Sequence, residues 1–567
     1  MAKSDDYIAR PLVWILALLL ISACDSGGEV DTDNGFAPYA DPAVAEALAA
    51  IEPGVIEAHI RVLADDNLEG RAPGTAGYEG ASRYVEQHLV SLGLQAAGDG
   101  GAFRQAVPLQ QSVVDESASQ LSISGPNGMA SFSYAVDFTL SPNSVRPEVT
   151  VTAPVVFVGY GVSAPALGYD DYADIDVNGK VVAYLTGAPP ALPSNQRAYY
   201  SSGTVKGEEA ANRGAVGMIG FTYPEDPRFR WDVGVARSRR GAFAWLDGDG
   251  APRGRGGESP IQASANLNHS VAQALFADAP TAIEDVFANG AASTPQAFDL
   301  GVDITVRTVS EHRQVSSHNL VGRLEGSDPQ LRDEHVVFVS HIDHFGVGDA
   351  VEGDSIYNGA HDNASGTAIV MEIARAFASL PQTPSRSVLF LFVTAEEWGL
   401  LGSDYFVHHP TVPGASLVAN LALDMPFLFH PLLDIVPYGA EHSSLADAVG
   451  AAADHLGIAI GPDPIPEQVL FIRSDHYSFV RQGVPALFIK SGFETGDDRD
   501  GGAINTAFRR ERYHTPSDES DQGFDFGAGV AHARVNFLTG YYVAMDRERP
   551  TWNEGDFFGG IFGPETR

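Results

Sequence analysis

The sequence predicts an α/β protein with a mostly parallel central sheet flanked by helices. Three observations lead there. From about residue 315, apolar strand-like runs alternate with helix-like runs: "HVVFVSHIDHF", "ASGTAIVMEIARAFASL", "SVLFLFVTAEE", "VANLALDM", "LADAVGAAADHLG" and "VPALFIK". Such alternation builds a parallel sheet with helices on its faces. Ahead of them, from about 118 to 160, short alternating segments read as further strands. The chain has 567 residues at 44% hydrophobic and 19% charged content, enough for a large core and more than one domain.

In chain order, residues 1–24 read "MAKSDDYIARPLVWILALLLISAC". Lys3 and Arg10 precede an apolar segment, Leu12 to Ile21, that is too short to span a bilayer well. Small residues then lead to Cys24, the only cysteine, so no intrachain disulfide is possible. The segment resembles a bacterial lipoprotein signal. That resemblance implies export, lipidation of Cys24 and membrane contact only through the lipid anchor. Asp25 resembles the residue that keeps such lipoproteins on the periplasmic face of the inner membrane. Residues 25–48 read as a tether. A formal net charge of −38 argues against nucleic acid or an anionic membrane surface as partner.

Residues 41–93 carry apolar residues at helical spacing on either side of the loop "NLEGRAPGT". "GKVVAYLTG" (179–187) reads as a strand, and "KGEEAANRGAVGMIGF" (206–221) as helix then strand. The Arg-, Gly- and Pro-rich run 237–260 reads as loop. There is no fixed-period repeat. Neither HExxH nor GxSxG occurs, so a single-zinc helix protease and a serine hydrolase elbow are unsupported.

In open α/β sheets, sites lie at the carboxyl ends of strands. "VVFVSHID" ends on His341 and Asp343, "LFLFVTAEE" on Glu396 and Glu397, and "VANLALDM" on Asp424. Asp362 in "GAHDNASGTA" precedes a helix, and His514 sits in the loop "RYHTPSD". Each alone has a plain structural reading; Asp362, for instance, could cap its helix. Together they suit zinc, which takes histidine nitrogen and carboxylate oxygen. Two ions about 3.5–4 Å apart can clamp both oxygens of a hydrolysis. Such a pair needs a bridging carboxylate, two histidines and two more carboxylates, and His341, Asp362, Glu397, Asp424 and His514 supply them. Glu396 is left unligated beside them, placed as general base. Asp343 would accept the free ring N–H of His341 or orient it through neighbours. The charge of two Zn²⁺ matches that of Asp362, Glu396, Glu397 and Asp424.

"SHIDHFG", "GAHDNASGTA", "TAEEWGLLGS", "LALDM" and "RYHTPSD", in this order and spacing, resemble the M28 family of co-catalytic zinc exopeptidases. The likeness is close over roughly 305–545 and extends to the N-terminal "LADDNLEGRAPGTAGYEGASRYVEQHLVSLGL". It implies that Asp362 bridges two zinc ions, that Glu397 and His514 complete one site, and that His341 and Asp424 complete the other. Glu396 would be the base, Asp343 a supporting residue, and the Asp362–Asn363 peptide bond cis. The activity implied is that of an aminopeptidase acting on peptides. Residues from about 145 to 304 resemble a protease-associated (PA) domain, a β-rich insert that can cover the cleft in such enzymes. The organisation expected is a signal peptide (1–24), a tether (25–48), a first peptidase segment (49–144), the insert (145–304), a catalytic segment (305–550) and a C-terminal tail (551–567).

Tyr513, beside His514, could donate to a tetrahedral intermediate or simply pack. Asp475 and His476, in "RSDHYSFVRQGVPALF", could line a substrate pocket. Two other functions stay open at this point. A carboxypeptidase for acidic termini would need cations for the substrate carboxylates, and Arg473 is one candidate. A non-catalytic receptor on the same fold would have lost metal-binding residues, yet every such position is filled here.

Overall fold

The computed structural model describes residues 41–563, apart from 225, 227–229, 255–256, 258–260 and 295. The signal-like segment, Cys24 and residues 25–40 of the tether lie outside the described residues. Among the described residues no helix is long and apolar enough to cross a membrane.

Four parallel strands form the centre of the main sheet, in the order Ser387–Val393, His335–His341, Leu417–Ala422, Ala486–Ser491. Antiparallel strands flank them: the long strand Ala297–Leu324 beside Ser387–Val393, and Asp434–Tyr438 beside Ala486–Ser491. Every residue of Ser387–Val393, His335–His341 and Leu417–Ala422 is buried. This is why these runs are apolar throughout rather than alternating: successive side chains point to opposite faces, and helices cover both. Val336, Phe338, Phe390 and Phe392 pack on one side with Ile56, Val85, Ile369 and Phe537. Val337, Val339, Leu389 and Leu391 pack on the other with Phe406, Phe479 and Phe558.

The helices begin where their capping residues predict. Thr75 accepts from the Tyr78 N–H at the start of Ala76–Ser91, and Asp525 accepts from Gly527 and Ala528 at the start of Phe526–Met545. The helix Ser365–Ala378, which follows Asp362, is buried at every residue except Arg375 and Ala378. It runs through the core and fixes the loop before it.

A second body has its own sheet and core. Strands Gln120–Gly125, Phe138–Leu140, Glu148–Val158, Val181–Leu185, Gly217–Phe221 and Ala263–Leu267 join the first half of Ala297–Leu324. One cluster of buried side chains, from Val114 to Val306, fills it. The long strand belongs to both bodies. Ala297–Val309 pairs with Glu148–Val158, and Ser310–Leu320 pairs with Arg104–Val114 of the main sheet.

Three segments differ from the sequence reading. Strands between 120 and 140, expected in the first peptidase segment, pair within the second sheet. The run 237–260, expected as loop, contains the end of helix Trp231–Arg240 and the strand Ala242–Leu246. That strand pairs with Arg104–Val114 and buries Phe243 and Trp245 against Val107, Leu109 and Leu401. The flanking Gly and Arg residues masked a short apolar run, "AFAWL". The segment from 551, expected as a tail, packs on the main body through a helix, Phe557–Phe562, whose Phe558 is fully buried.

Candidate metal centre

The carboxyl ends of three parallel strands meet the loop before Ser365–Ala378 and the loop carrying His514. Two of these strand ends turn sharply, as positive φ at Ala395 (55°) and Met425 (47°) shows, and His514 itself has φ of 60°. Non-glycine residues in this region cost of order 1–3 kcal/mol each and persist only where the surroundings impose them. Here the turns aim Glu396, Glu397 and Asp424 back over the strand ends. Gly402 secures the turn after Glu397: a Cβ there would lie 2.3 Å from the Thr394 carbonyl oxygen and 2.6 Å from Asn319 Oδ1. Asn319, fully buried, accepts from the Thr394 N–H (3.1 Å) and donates to the Gly402 carbonyl (2.9 Å).

The five residues expected to hold metal come together. His341 Nε2 lies 3.5 Å from Asp362 Oδ1 and 3.6 Å from Asp424 Oδ1. His514 Nε2 lies 3.1 Å from Asp362 Oδ2 and 3.2 Å from Glu397 Oε2. Asp362 thus offers one oxygen to each of two donor groups. Glu396 Oε2 is 3.9 Å from His341 Nε2. The Asp362–Asn363 peptide bond is cis.

The polar groups fit a cation. His341 Nε2, His514 Nε2 and Asp424 Oδ1 are buried with no hydrogen-bond partner, a costly arrangement unless something else satisfies them. Burial pushes Glu396 well above the usual carboxylate range; the Asp424 and Glu397 charges add to that, against the pull of His341. Burial would raise Glu397 too, but His514 and His344 outweigh it and hold it well below. Four carboxylates and two imidazoles facing one buried space form a donor set of the zinc type.

Supporting residues explain why the donors hold still. Asp343, fully buried, accepts from the backbone N–H of Glu396 (3.1 Å) and Glu397 (3.4 Å). Its expected bond to the His341 ring is not made by the carboxylate, whose nearest approach to Nδ1 is 3.9 Å. The Asp343 carbonyl takes that role at 3.1 Å. The carboxylate instead fixes both glutamates by their backbone. His344 Nδ1 donates to Glu397 Oε1 at 2.5 Å.

Two further residues were not singled out in the sequence. Asp518, the last residue of "RYHTPSD", accepts from the backbone N–H of His361 and Asp362, both at 2.9 Å. Its only signal was its place four residues after His514. Arg71, from the loop "NLEGRAPGT", is 1% exposed. It donates to the carbonyls of Ile342 (2.7 Å), Gly359 (3.1 Å), Leu63 and Asn358. One guanidinium so ties the loop after His341 to the loop before Asp362. Arg71→Met strands these buried carbonyls, each worth about 1–3 kcal/mol when unsatisfied. The expected result is a loss of about 3 kcal/mol or more of stability and a 10–100-fold weaker hold on metal. Thermal unfolding and a zinc competition titration check it; unchanged values for both would refute the role.

The substrate candidates divide. Tyr513 stacks on His514, ring centroids 3.6 Å apart, and its hydroxyl accepts from Arg473 Nη2 at 3.1 Å, so it lines the open side of the centre. Asp475 is buried beneath the site, pushed up to about 6 by burial. His476 does not line a pocket: it is fully buried, Nε2 bonds the Phe471 carbonyl at 2.6 Å, and its ring stacks on Phe488. The helix His476–Val480 turns it inward, a direction that a polar residue beside a glycine-containing loop does not reveal.

Fold and centre together define an α/β scaffold with a mostly parallel sheet and a histidine–carboxylate donor cluster at its strand ends. Residues 319–537 match the model of peptidase family M28. A "probable leucine aminopeptidase 2" of Aspergillus oryzae is 26% identical over 235 residues, 39% of this chain and 44% of that one. A "probable glutamate carboxypeptidase" of Arthroderma benhamiae is 27% identical over 269 residues, 43% of this chain and 33% of that one. The chain therefore spans less than half the length of these two curated relatives. The structure of an aminopeptidase from Aneurinibacillus sp. strain AM-1 shares the fold, with TM-score 0.53 and 20% identity over 88% of this chain and 96% of that one.

Proposed function

We propose that the chain is a di-zinc exopeptidase that removes residues from the N-terminus of peptides. The observation that carries this is Asp362 presenting one carboxylate oxygen to the group of His341 and Asp424 and the other to the group of Glu397 and His514, with Glu396 alongside, 3.9 Å from His341 Nε2. His341, Asp362 and Asp424 would hold one ion; Asp362, Glu397 and His514 would hold the other. Bound there, zinc supplies Lewis acidity, polarising the scissile carbonyl and making water acidic enough to attack at neutral pH.

The chain's own residues do the rest. Glu396 takes the proton of the attacking water on a carboxylate oxygen and returns it to the leaving amine nitrogen. Asp343 keeps the Glu396 backbone fixed, so the carboxylate stays over the reacting atoms. The side chains that wall the centre, Phe345 and Tyr513 against the His514 ring, limit water from that side.

Residues from about 145 to 304 are read as the PA insert. A cleft of about 1260 Å³ separates that body from the peptidase body, lined from one side by Tyr184 and Met218 and from the other by Asp404 and Arg473. Substrate would approach through it. Export and a lipid anchor at Cys24 complete the proposal, supported by the lone cysteine after a short apolar segment.

The test uses the zinc-loaded full chain with aminoacyl p-nitroanilides and dipeptides, N-termini free or blocked. Hydrolysis of free N-termini, lost with a chelator and restored by zinc, is expected. Hydrolysis of N-blocked, C-terminally free peptides alone would replace this reading with a carboxypeptidase; no hydrolysis with metal bound would favour a binding protein.

A further inference from the structure

Arg240 ends the helix Trp231–Arg240, between the second body and the strand Ala242–Leu246 that seats on the main sheet. Its guanidinium carbon lies over two aromatic rings, 4.0 Å from the centroid of Phe345 and 4.9 Å from that of Tyr357. The backbone there is fixed. The Arg240 carbonyl accepts from Gln111 Nε2 at 3.2 Å. Gly241 takes φ of 77°, and a Cβ on it would lie 2.5 Å from the Ser112 carbonyl oxygen. Among the described residues no carboxylate pairs with Arg240, whereas its exposed neighbour Arg239 pairs with Glu116 at 2.8 Å. The Arg240 cation is thus given to an aromatic face.

Phe345 links that cation to the centre. Its ring stands at 77° to the His514 ring, centroids 4.7 Å apart, while Tyr513 stacks on the same imidazole at 3.6 Å. His514 has φ of 60°, a state that a non-glycine residue keeps only where its surroundings impose it. Phe345 and Tyr513 are the rings nearest to it. Phe345 also meets Trp398, the residue after Glu397, at 5.5 Å, and Trp398 meets Phe243 of the following strand at 5.1 Å. Through Phe345 and Trp398, residues 240–243 so bear on His514 and on the turn that carries Glu397.

We propose that Arg240 is a positioning residue of the metal centre: its cation holds the Phe345 ring in place, and that ring keeps His514 turned to its ion. This rests on the di-zinc reading and adds that the second body supports one of the two ions. A cation beside the centre acting by charge alone would weaken the hold on zinc, and its removal would tighten it. A brace acts with the opposite sign.

Zinc competition titration of the full chain is the test. Arg240→Met keeps the apolar stem and removes the cation. One of the two ions is then expected to bind about tenfold more weakly, within what residues supporting a metal-binding histidine contribute, and the other to change less than about threefold. Arg240→Lys returns a cation to the ring and should recover to within about threefold of the unaltered protein, and Arg239→Met should change nothing. Phe345→Leu should loosen the same ion, and adding Arg240→Met to it should loosen that ion no further, because a residue acting through a ring loses its effect when the ring is gone. Circular dichroism checks that each variant is folded; if Arg240→Met is not, unchanged zinc binding by Phe345→Leu still overturns the proposal. Unchanged or tighter zinc binding by Arg240→Met would overturn it directly. So would a lysine variant no better than methionine, equal loosening of both ions, or additive loosening in the double variant. Any of these results, with two ions on the unaltered protein, removes the role of Arg240 and leaves the centre standing. Fewer than two ions on the unaltered protein would sink the di-zinc reading and this proposal with it.

Discussion

Glu396→Gln is expected to bind zinc as the unaltered protein does and to lose turnover by about 10²–10⁴-fold. That is the usual contribution of a positioned general acid–base. The substitution is nearly isosteric, and Asp343 holds residue 396 by its backbone N–H, which glutamine keeps. Geometry therefore survives while the carboxylate that carries the proton is gone. Glu396 also lies outside both donor groups around Asp362, so metal content should not change. Zinc analysis together with kcat for the best substrate checks this. Turnover within about tenfold of the unaltered enzyme, with full metal, would remove Glu396 from the mechanism.

Asp362→Asn is expected to have the opposite signature: metal is lost first and turnover follows, by about three orders of magnitude or more. Asp362 is 3% exposed and gives an oxygen to each histidine, at 3.5 and 3.1 Å. An amide supplies one weak oxygen donor in place of two charged ones, so both ions would lose a partner at once. Polarisation of the carbonyl and activation of water are worth several kcal/mol together, which sets the scale of the rate loss. The backbone should hold, because Asp518 fixes residue 362 through its N–H and not through its side chain. A folded, zinc-depleted, inactive protein is thus the expected product. A variant that kept its zinc and its rate would contradict the bridging role.

The contrast between these two residues reflects how the site is built. "TAEE" puts two like charges in sequence, and the turn at Ala395 lets both face one centre. His514 and His344 hold Glu397 while Glu396 keeps no close partner besides His341. Adjacent carboxylates so take different states.

Much of this was legible in the chain because the parallel strands are buried on both faces. Such strands appear as unbroken apolar runs, and an ionisable residue at the end of one stands out: His341, Glu396, Glu397 and Asp424 were visible for this reason. Asp362 and His514 lie in loops, and His514 is 173 positions beyond His341; only the motif order joined them. Arg71 was not legible, since its partner Ile342 is 271 residues away and its own surroundings read as a plain turn. Asp343 was visible as a residue, but whether its carboxylate or its carbonyl would meet His341 depends on a turn that spacing does not define. The strand Ala242–Leu246 was hidden by the glycines and arginines around its five residues. His476 failed in the other direction: a polar residue near a site was read as facing it, although a short helix rotates it into the core.

Zinc per chain, measured on the full-length protein after saturation and desalting, tests the central claim most directly. About two ions per chain are expected for the unaltered protein, and clearly fewer for Asp362→Asn. One ion or none in a protein that hydrolyses peptides at full rate would contradict the two-metal centre.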